Sequence, residues 1–190
     1  MTDTGPAPQR PVQPARASLR LRAALPADAP LIVELVNSAY RGESSRAGWT
    51  TEADLLGGQR VDVAGVQALI EQRDTVVLVH EHDGELLACV ELHAEAARCY
   101  LGMLTVKPSR QACGLGRALL AAAEIDARQR FGAERIFMTV IEQRTELIAW
   151  YERRGYRRTG EYRPFPYGDE RFGIPLRPDL QFIVLEKSLV

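Results

Sequence analysis

Leu101 to Leu120, LGMLTVKPSRQACGLGRALL, decides how the rest of the chain is read. An apolar run with strand character ends in Val106, and Pro108 opens a short polar turn. Gln111-Ala112-Cys113-Gly114-Leu115-Gly116 then leads into an Ala/Leu-rich segment of helical period. A strand, a small-residue turn and a helix start together make an anion site. The first N–H groups of a helix have no internal partner, and the aligned peptide dipoles add positive potential there. Glycines let the backbone approach a bulky phosphate where a side chain would collide. By itself, a G-x-G more often marks only a tight strand-to-helix connection.

The 190 residues fit one domain with a tail and suffice for a sizeable core. Hydrophobic content of 46% and charged content of 26% are those of a globular protein. A net charge of −1 gives no general affinity for nucleic acid or an anionic membrane. Cys89, Cys99 and Cys113 form no C-x-x-C pair and have no metal-ligand spacing, so a reducing, cytoplasmic setting is expected and no metal. No apolar run approaches the ~18 residues of a membrane span. Residues 1–17 carry Pro6, Pro8, Pro11 and Pro14 and almost no large apolar side chain, so a flexible tail is expected. A single domain then occupies residues 18–190.

Within that domain, Leu19 and Leu21 alternate with Arg20 and Arg22 as on a strand. Asp28 is placed to cap a helix over 29–40 with Leu31, Leu35 and Val36 as its apolar stripe. Thr51 is placed to start a short helix that Gly57-Gly58 stops, and a further helix is expected over 66–72. Thr75 to Val79 and Leu86 to Leu92 are strands joined at Asp83-Gly84, a strong two-residue hairpin signal. Leu86, Ala88, Val90 and Leu92 share one face of the returning strand; Leu87, Cys89, Glu91 and His93 share the other. A strand over 99–106 is apolar on both faces, as in the middle of a covered sheet. Leu115, Leu119, Ala122 and Ile125 give the next helix its period, and Gly132 stops it. A strand over 135–141, a helix over 145–154 ended by Gly155, and strands near 157–162 and 180–187 complete the series. The order specifies a mixed α/β sheet with helices on both faces.

Two motifs now stand in sequence. Leu104-Thr105-Val106-Lys107-Pro108 followed by Gln111-Ala112-Cys113-Gly114-Leu115-Gly116-Arg117-Ala118-Leu119-Leu120 resembles the cofactor motif of the GNAT N-acetyltransferases. That motif is a strand ending in Val-x-Pro and then Q/R-x-x-G-x-G/A. Further along, Trp150-Tyr151-Glu152-Arg153-Arg154-Gly155-Tyr156 resembles the family's aromatic-Tyr-Glu-x-x-Gly-aromatic helix end. The resemblance covers Leu19 to Leu189 and implies the GNAT fold, a splayed mixed sheet of about seven strands. It also implies transfer of an acetyl group from acetyl-CoA to a primary amine, by direct attack in a ternary complex. A non-catalytic acyl-CoA sensor of the same fold is the alternative. A Rossmann dinucleotide site fails on spacing, since its G-x-G-x-x-G follows an early strand of a βαβ unit.

By that resemblance, the diphosphate of CoA lies on the amides of Gln111 to Gly116, and the pantetheine arm lies along Leu104, Thr105 and Val106. Cys113 sits where a helix N-terminus favours thiolate, but the family uses no cysteine there. Tyr151 is implied as the general acid that protonates the leaving thiolate, and a backbone N–H near Leu104 as the oxyanion donor. Many members carry a carboxylate three or four residues before the motif valine, where this chain has Met103 and Gly102. Glu91, Glu142 and His93 are the substitutes for a general base, beside deprotonation relayed by water. Arg144 stands where the family often has an asparagine. Its guanidinium suits a CoA phosphate or a substrate carboxylate, or a plain surface pair with Glu146 or Glu152. With Arg163 to Gly168 and the region of Trp49, it suggests a partly aromatic, partly cationic pocket for a small amine bearing a carboxylate. The last two strands leave room for a homodimer.

Overall fold

The computed structural model describes residues 19–190; the tail expected over 1–17, and the domain start at Ser18, lie outside the described residues. Fourteen helices and strands follow in order. They are β1 (Leu21–Ala23), α1 (Ala29–Tyr40), α2 (Gly42–Ser45), β2 (Leu56–Gly57), α3 (Val63–Glu71), β3 (Thr75–His82) and β4 (Glu85–Glu95). Then come β5 (Arg98–Val106), α4 (Leu115–Phe131), β6 (Arg135–Ile141), α5 (Thr145–Glu152), β7 (Arg157–Pro164), β8 (Ile174–Pro175) and β9 (Gln181–Ser188). Seven strands form one sheet in the order β1-β3-β4-β5-β6-β9-β7, and β2 pairs with β8 apart from it.

The β3–β4 hairpin turns where the sequence predicts it. Asp83 (φ +52°) and Gly84 (φ +77°) both take the left-handed conformation that a tight hairpin with right-handed twist requires. Helices cover both faces of the sheet. On one, Ile32, Leu35 and Val36 of α1 and Val66 of α3 bury against Val77, Val79, Cys89 and Met103. On the other, Leu119, Leu120, Ala123 and Ala127 of α4 and Ile148 of α5 bury against Val90, Leu92, Leu101, Ile136 and Leu185. At roughly 1.5–3 kcal/mol for each large side chain, these two layers carry most of the folding drive.

The sheet is antiparallel except between β5 and β6. Those two strands pair at three positions, Arg98↔Arg135, Cys99↔Ile136 and Tyr100↔Phe137, and part beyond them. A bulge in β5 accompanies the parting. Cys89 pairs with Thr105 and Glu91 with Gly102, so Met103 and Leu104 together face Val90. Met103 takes φ +51°, a left-handed conformation unusual for a non-glycine residue. A bulge bends its strand and re-aims the side chains around it. Here it opens the cleft.

Several local expectations are corrected. Asp28 does not cap α1; it closes a 3₁₀ turn, accepting from the Leu25 amide at 2.7 Å and from Arg22. Leu31 is exposed, and the buried stripe of α1 runs through Ala29, Ile32, Leu35, Val36 and Ala39. In α4 the stripe is likewise displaced: Ile125 is exposed, Ala122 half-buried, and Leu120, Ala123 and Ala127 face the sheet. Small alanines there let the helix lie close to β4 and β5. No helix starts at Thr51. The Glu52 side chain is drawn inward by two arginines, and Leu56-Gly57 pairs with Ile174-Pro175 instead. The helix α5 stops at Glu152, two residues short of the expected end.

Candidate active site

The turn after β5 has the conformation of an anion cradle. Ala112 (φ +63°) and Gly114 (φ +88°) are both left-handed, and alternation of that kind turns successive amides toward one point. No side chain caps α4, whose first internal bond runs from the Ala118 amide to the Gly114 carbonyl at 3.1 Å. The amides of Leu115, Gly116 and Arg117 precede that bond and are free of intrahelical partners. A Cβ on Gly114 would meet nothing within 4 Å, so its glycine answers to backbone conformation and not to crowding by the protein.

A cleft of about 290 Å³ runs from this turn along β5 to α5. Leu104, Thr105, Val106, Gln111, Ala112, Gly114, Gly116 and Arg117 line it from one side; Arg144, Leu147, Trp150, Tyr151 and Arg154 line it from the other. Tyr40, Trp49 and Thr50 roof it. Cys113 and Leu115 do not line it. The Cys113 thiol is exposed and donates to the Arg110 carbonyl, while Leu115 packs on the core. At the end of β5, the Tyr40 hydroxyl donates to the Leu104 carbonyl at 2.9 Å. The Gln111 side chain donates to the Val106 carbonyl at 3.0 Å and accepts from the Trp49 amide at 3.0 Å. Side chains thus complete the backbone pairing that the parting of β6 removes.

The residues present fit CoA. Among the described residues, Arg117, Arg153 and Arg154 form no ion pair, although Arg117 and Arg154 line the cleft. Burial, and then the charges of Arg153 and Arg117, pull the Arg154 guanidinium below its ordinary range. Its guanidinium lies 3.5 Å from the centroid of the Trp150 ring, and its buried Nε has no partner. An uncompensated cluster of that kind suits a polyanion. Arg154 escaped the sequence reading because Arg153-Arg154 reads there as an ordinary charged helix end.

A second cavity, about 310 Å³, opens on the other side of the same wall. Tyr40, Leu104, Arg144, Leu147 and Tyr151 border both. Five ionic side chains line the second cavity: Arg41, Glu52, Arg60, Glu91 and Arg144. Glu52 is the hub. Its carboxylate receives Arg144 at 2.7 Å on one oxygen and Arg41 on the other, with all three side chains no more than 8% exposed. Arg144 also donates to the Thr50 hydroxyl at 2.9 Å. Its partners are therefore neither Glu146 nor Glu152; Glu152 pairs with Arg158 at 3.0 Å. Burial alone would raise the Glu52 carboxyl, but Arg144, Arg60 and Arg41 outweigh it and hold the group below the usual carboxylate range. Local pattern does not mark Glu52, because its partners lie 11 and 92 residues away along the chain.

Of the three candidate bases, Glu91 lines the second cavity. Glu142 does not; it receives the Gln181 side chain beside β9. His93 meets the Thr75 hydroxyl at 2.7 Å, also away from the cavity. Burial pushes the Glu91 carboxyl up, with Arg60 and His93 partly restraining it. Gly102, its cross-strand partner, leaves it room: a Cβ there would stand 2.7 Å from a Glu91 carboxylate oxygen. Tyr151 is buried in the shared wall. Burial, and then Tyr40, push its phenol well above the ordinary value, so the hydroxyl keeps its proton at neutral pH. Phe165 lines the second cavity as the loop over 163–168 suggests, whereas Trp49 belongs to the first.

No helix among the described residues is long and apolar enough to cross a membrane. None of the described residues form a group of three or more His, Cys, Asp or Glu able to hold a metal ion.

Comparison with solved structures finds the same architecture elsewhere. The ribosomal-protein-alanine N-acetyltransferase of Brucella melitensis superposes with a TM-score of 0.66 at 20% identity, over 90% of this chain and 99% of that one. The Salmonella typhimurium protein yncA, solved with its cofactor acetyl-CoA, gives 0.65 at 22% identity, over 92% and 95%. A spermidine N-acetyltransferase mutant from Vibrio cholerae gives 0.67 at 15%, over 92% and 95%. At such identities the likeness is one of fold. A search of curated protein sequences finds no match. Residues 33–156, most of the chain, match the Acetyltransferase (GNAT) family, and they include both the glycine turn and the Tyr151 helix end: this chain belongs to that family of acyltransferases.

Proposed function

We propose that the protein transfers an acetyl group from acetyl-CoA to the primary amine of a small molecule, by direct attack while both are bound. The observation that carries this reading is the wall shared by the two cavities. Leu104 and Tyr151 border both, so a donor along the first and an amine in the second meet at the same two residues. The amides of the glycine turn, with Arg117 and Arg154, hold the diphosphate of CoA. Bound acetyl-CoA supplies an activated thioester carbonyl. The volume of the second cavity sits at the small end for ligand pockets, of order 300 Å³, which favours a metabolite over a protein terminus.

Three groups of the chain then divide the proton work. Glu91 takes a proton from the ammonium group, and its raised pKa brings it closer to the strength a base needs near neutral pH. The amide of Leu104, which borders both cavities, donates to the oxyanion as the nitrogen–carbon bond forms. The Tyr151 hydroxyl gives its proton to the sulfur as the carbon–sulfur bond breaks, and the second proton of the attacking nitrogen returns through water to the Tyr151 oxygen, leaving the amide product and the free thiol. Leu147, Leu104 and the ring of Tyr40 supply the apolar part of the wall.

Free-thiol release from acetyl-CoA across a panel of primary amines tests this, with wild type beside Tyr151→Phe. Release with some amines, falling about 10²–10⁴-fold in kcat for the variant, is expected for loss of a general acid. Stabilisation of the fold by CoA with no amine releasing thiol would leave an acyl-CoA sensor instead.

A further inference from the structure

The second cavity holds an unspent cation. Arg41 and Arg144 both bond Glu52, whereas the guanidinium of Arg60, among the described residues, forms no ion pair and no hydrogen bond. It lies over the Tyr40 ring, 5.6 Å from its centroid, and acts at a distance on Glu52, Tyr40, Tyr100 and Glu91, all of which line the cavity. Three guanidinium groups against two carboxylates leave the cavity with a positive surplus, and that surplus grows when Glu91 takes up a proton. Glu52 and Glu91 support the Arg60 charge at a distance, but no protein acceptor among the described residues takes its donors, so the fork is free for a ligand carboxylate.

The backbone beneath Arg60 is held in place. The Asn37 side chain on α1 accepts from the amides of Arg60 (2.7 Å) and Val61 (3.3 Å) and donates to the Val61 carbonyl (3.0 Å). Three bonds from one amide group fix an otherwise irregular segment at the cavity rim, so the arginine is aimed and not merely tethered. Glu91 lines the same cavity, and Arg60 restrains its carboxyl electrostatically. The lining thus holds both a proton acceptor and a planar donor fork. A zwitterion has the matching polarity.

We infer that Arg60, positioned by Asn37, binds the carboxylate of the acceptor, so the acceptor class is amino acids and related small amines that carry a carboxylate. This rests on the proposed transfer reaction and names the substrate of the same site. Leu56, Ile141, Phe165 and Phe182 line the remaining wall and favour acceptors with an apolar side chain. A single free guanidinium matches a monoanion better than a phosphate dianion. Arg144, with its guanidinium committed to Glu52 and Thr50, supports the wall and is not the anchor.

Two measurements test the anchor. The first compares the proteinogenic amino acids with their primary amides, which keep the amine and lose the charge. Wild type should favour acid over amide by about ten- to hundredfold in kcat/KM, through KM, the worth of a hydrogen bond to a charged group. Arg60→Gln should abolish that preference, with the acids losing at least about tenfold more than the amides, and Arg60→Lys should restore part of it. Equal rates for acid and amide in wild type, or an equal loss on both in Arg60→Gln, would overturn the inference. The wild-type comparison stands even where a variant does not fold. The second measurement is thermal stabilisation of the CoA-loaded wild type by the same acids and amides, which needs no turnover. Stabilisation by acids over amides supports the anchor, and no difference overturns it. If acids stabilise but no amine releases thiol, the transfer reaction fails and the carboxylate site remains.

Discussion

Adding one methyl group at Gly102 should disarm the base without touching it. A Cβ at that position would stand 2.7 Å from Glu91 Oε2, 2.8 Å from Tyr100 Cε1 and 3.3 Å from Glu91 Cδ. Carbon contacts settle near 3.5–4.0 Å, so the Glu91 carboxylate must retreat by about 1 Å or leave its rotamer. Both crowded groups are the ends of side chains, and the φ of Gly102 is not among the left-handed ones, so the backbone accepts alanine. Displacing a reacting group by about 1 Å costs about a hundredfold in rate, close to 2.7 kcal/mol. In Gly102→Ala, kcat/KM should therefore fall by about that factor while CoA stabilises the fold as before. Glu91→Gln should fall further, within about 10²–10⁴-fold, and the double variant should be no worse than Glu91→Gln alone. The pH profile adds a second readout. Burial raises the Glu91 pKa, so activity should climb with pH on a limb above the ordinary carboxylate value of about 4.3. Pushing the group toward solvent moves that limb down, and Glu91→Gln removes it. Wild-type kcat/KM in Gly102→Ala with an unmoved limb would show that Glu91 takes no proton from the amine.

Three further outcomes follow from the same geometry. Glu52→Gln strands two buried guanidinium groups and should cost about 3–5 kcal/mol in denaturant unfolding. Because the folded Glu52 carboxyl lies below its unfolded value, its contribution is complete above about pH 4.3 and is lost as the pH falls through the folded value; a variant with an unchanged acid limb in its stability curve would refute this. Both tryptophans, Trp49 and Trp150, line the donor cleft with ring centroids 6.3 Å apart, so CoA titration should change intrinsic fluorescence, and silence at saturation would place the donor elsewhere. Gly114→Ala forces a left-handed alanine at about 1–2 kcal/mol and should weaken CoA binding in calorimetry by about tenfold with kcat kept; undiminished affinity would refute the anion cradle.

The donor side was legible because local sequence builds it. A strand, a glycine turn and a helix start lie within twenty consecutive residues, and the parts proposed to hold CoA are backbone amides whose geometry follows from Gly114 and its neighbours. The hairpin at Asp83-Gly84 was legible for the same reason. The acceptor side was not. Arg60 reaches the cavity because Asn37, more than twenty residues earlier, holds its backbone, and Glu52 turns inward because Arg144 arrives from another element altogether. No periodicity in Arg41 to Gln59 announces either event. The helix expected at Thr51 shows the cost of local rules: capping chemistry favours a helix there, and a buried ion triad overrides it. In α1 and α4 the period was right and the phase was off, since period is a property of the segment while phase depends on what the segment packs against.

The missing carboxylate at Gly102 and Met103 has a structural answer in the register of the sheet. Glu91 and Gly102 face each other across the β4–β5 ladder, so side chains at the two positions occupy neighbouring space on one face. A carboxylate projecting from either strand would reach the same side of the cleft, and both together would crowd and repel. Glycine at 102 is thus the complement of glutamate at 91: the space that a side chain on β5 would fill is taken by the Glu91 carboxylate, 2.7 Å from where the Cβ would be. The bulge immediately after Gly102 strengthens the case, because it leaves the Glu91–Gly102 pair in register. A one-residue shift of that bulge would change which β5 side chain faces Glu91, because the extra residue lies in β5 while the alternation of β4 is unbroken. The face of the proposed base is therefore set by the alternation of β4, and its room by Gly102, while the β5 irregularity at Met103, with its left-handed φ, begins only after that pair.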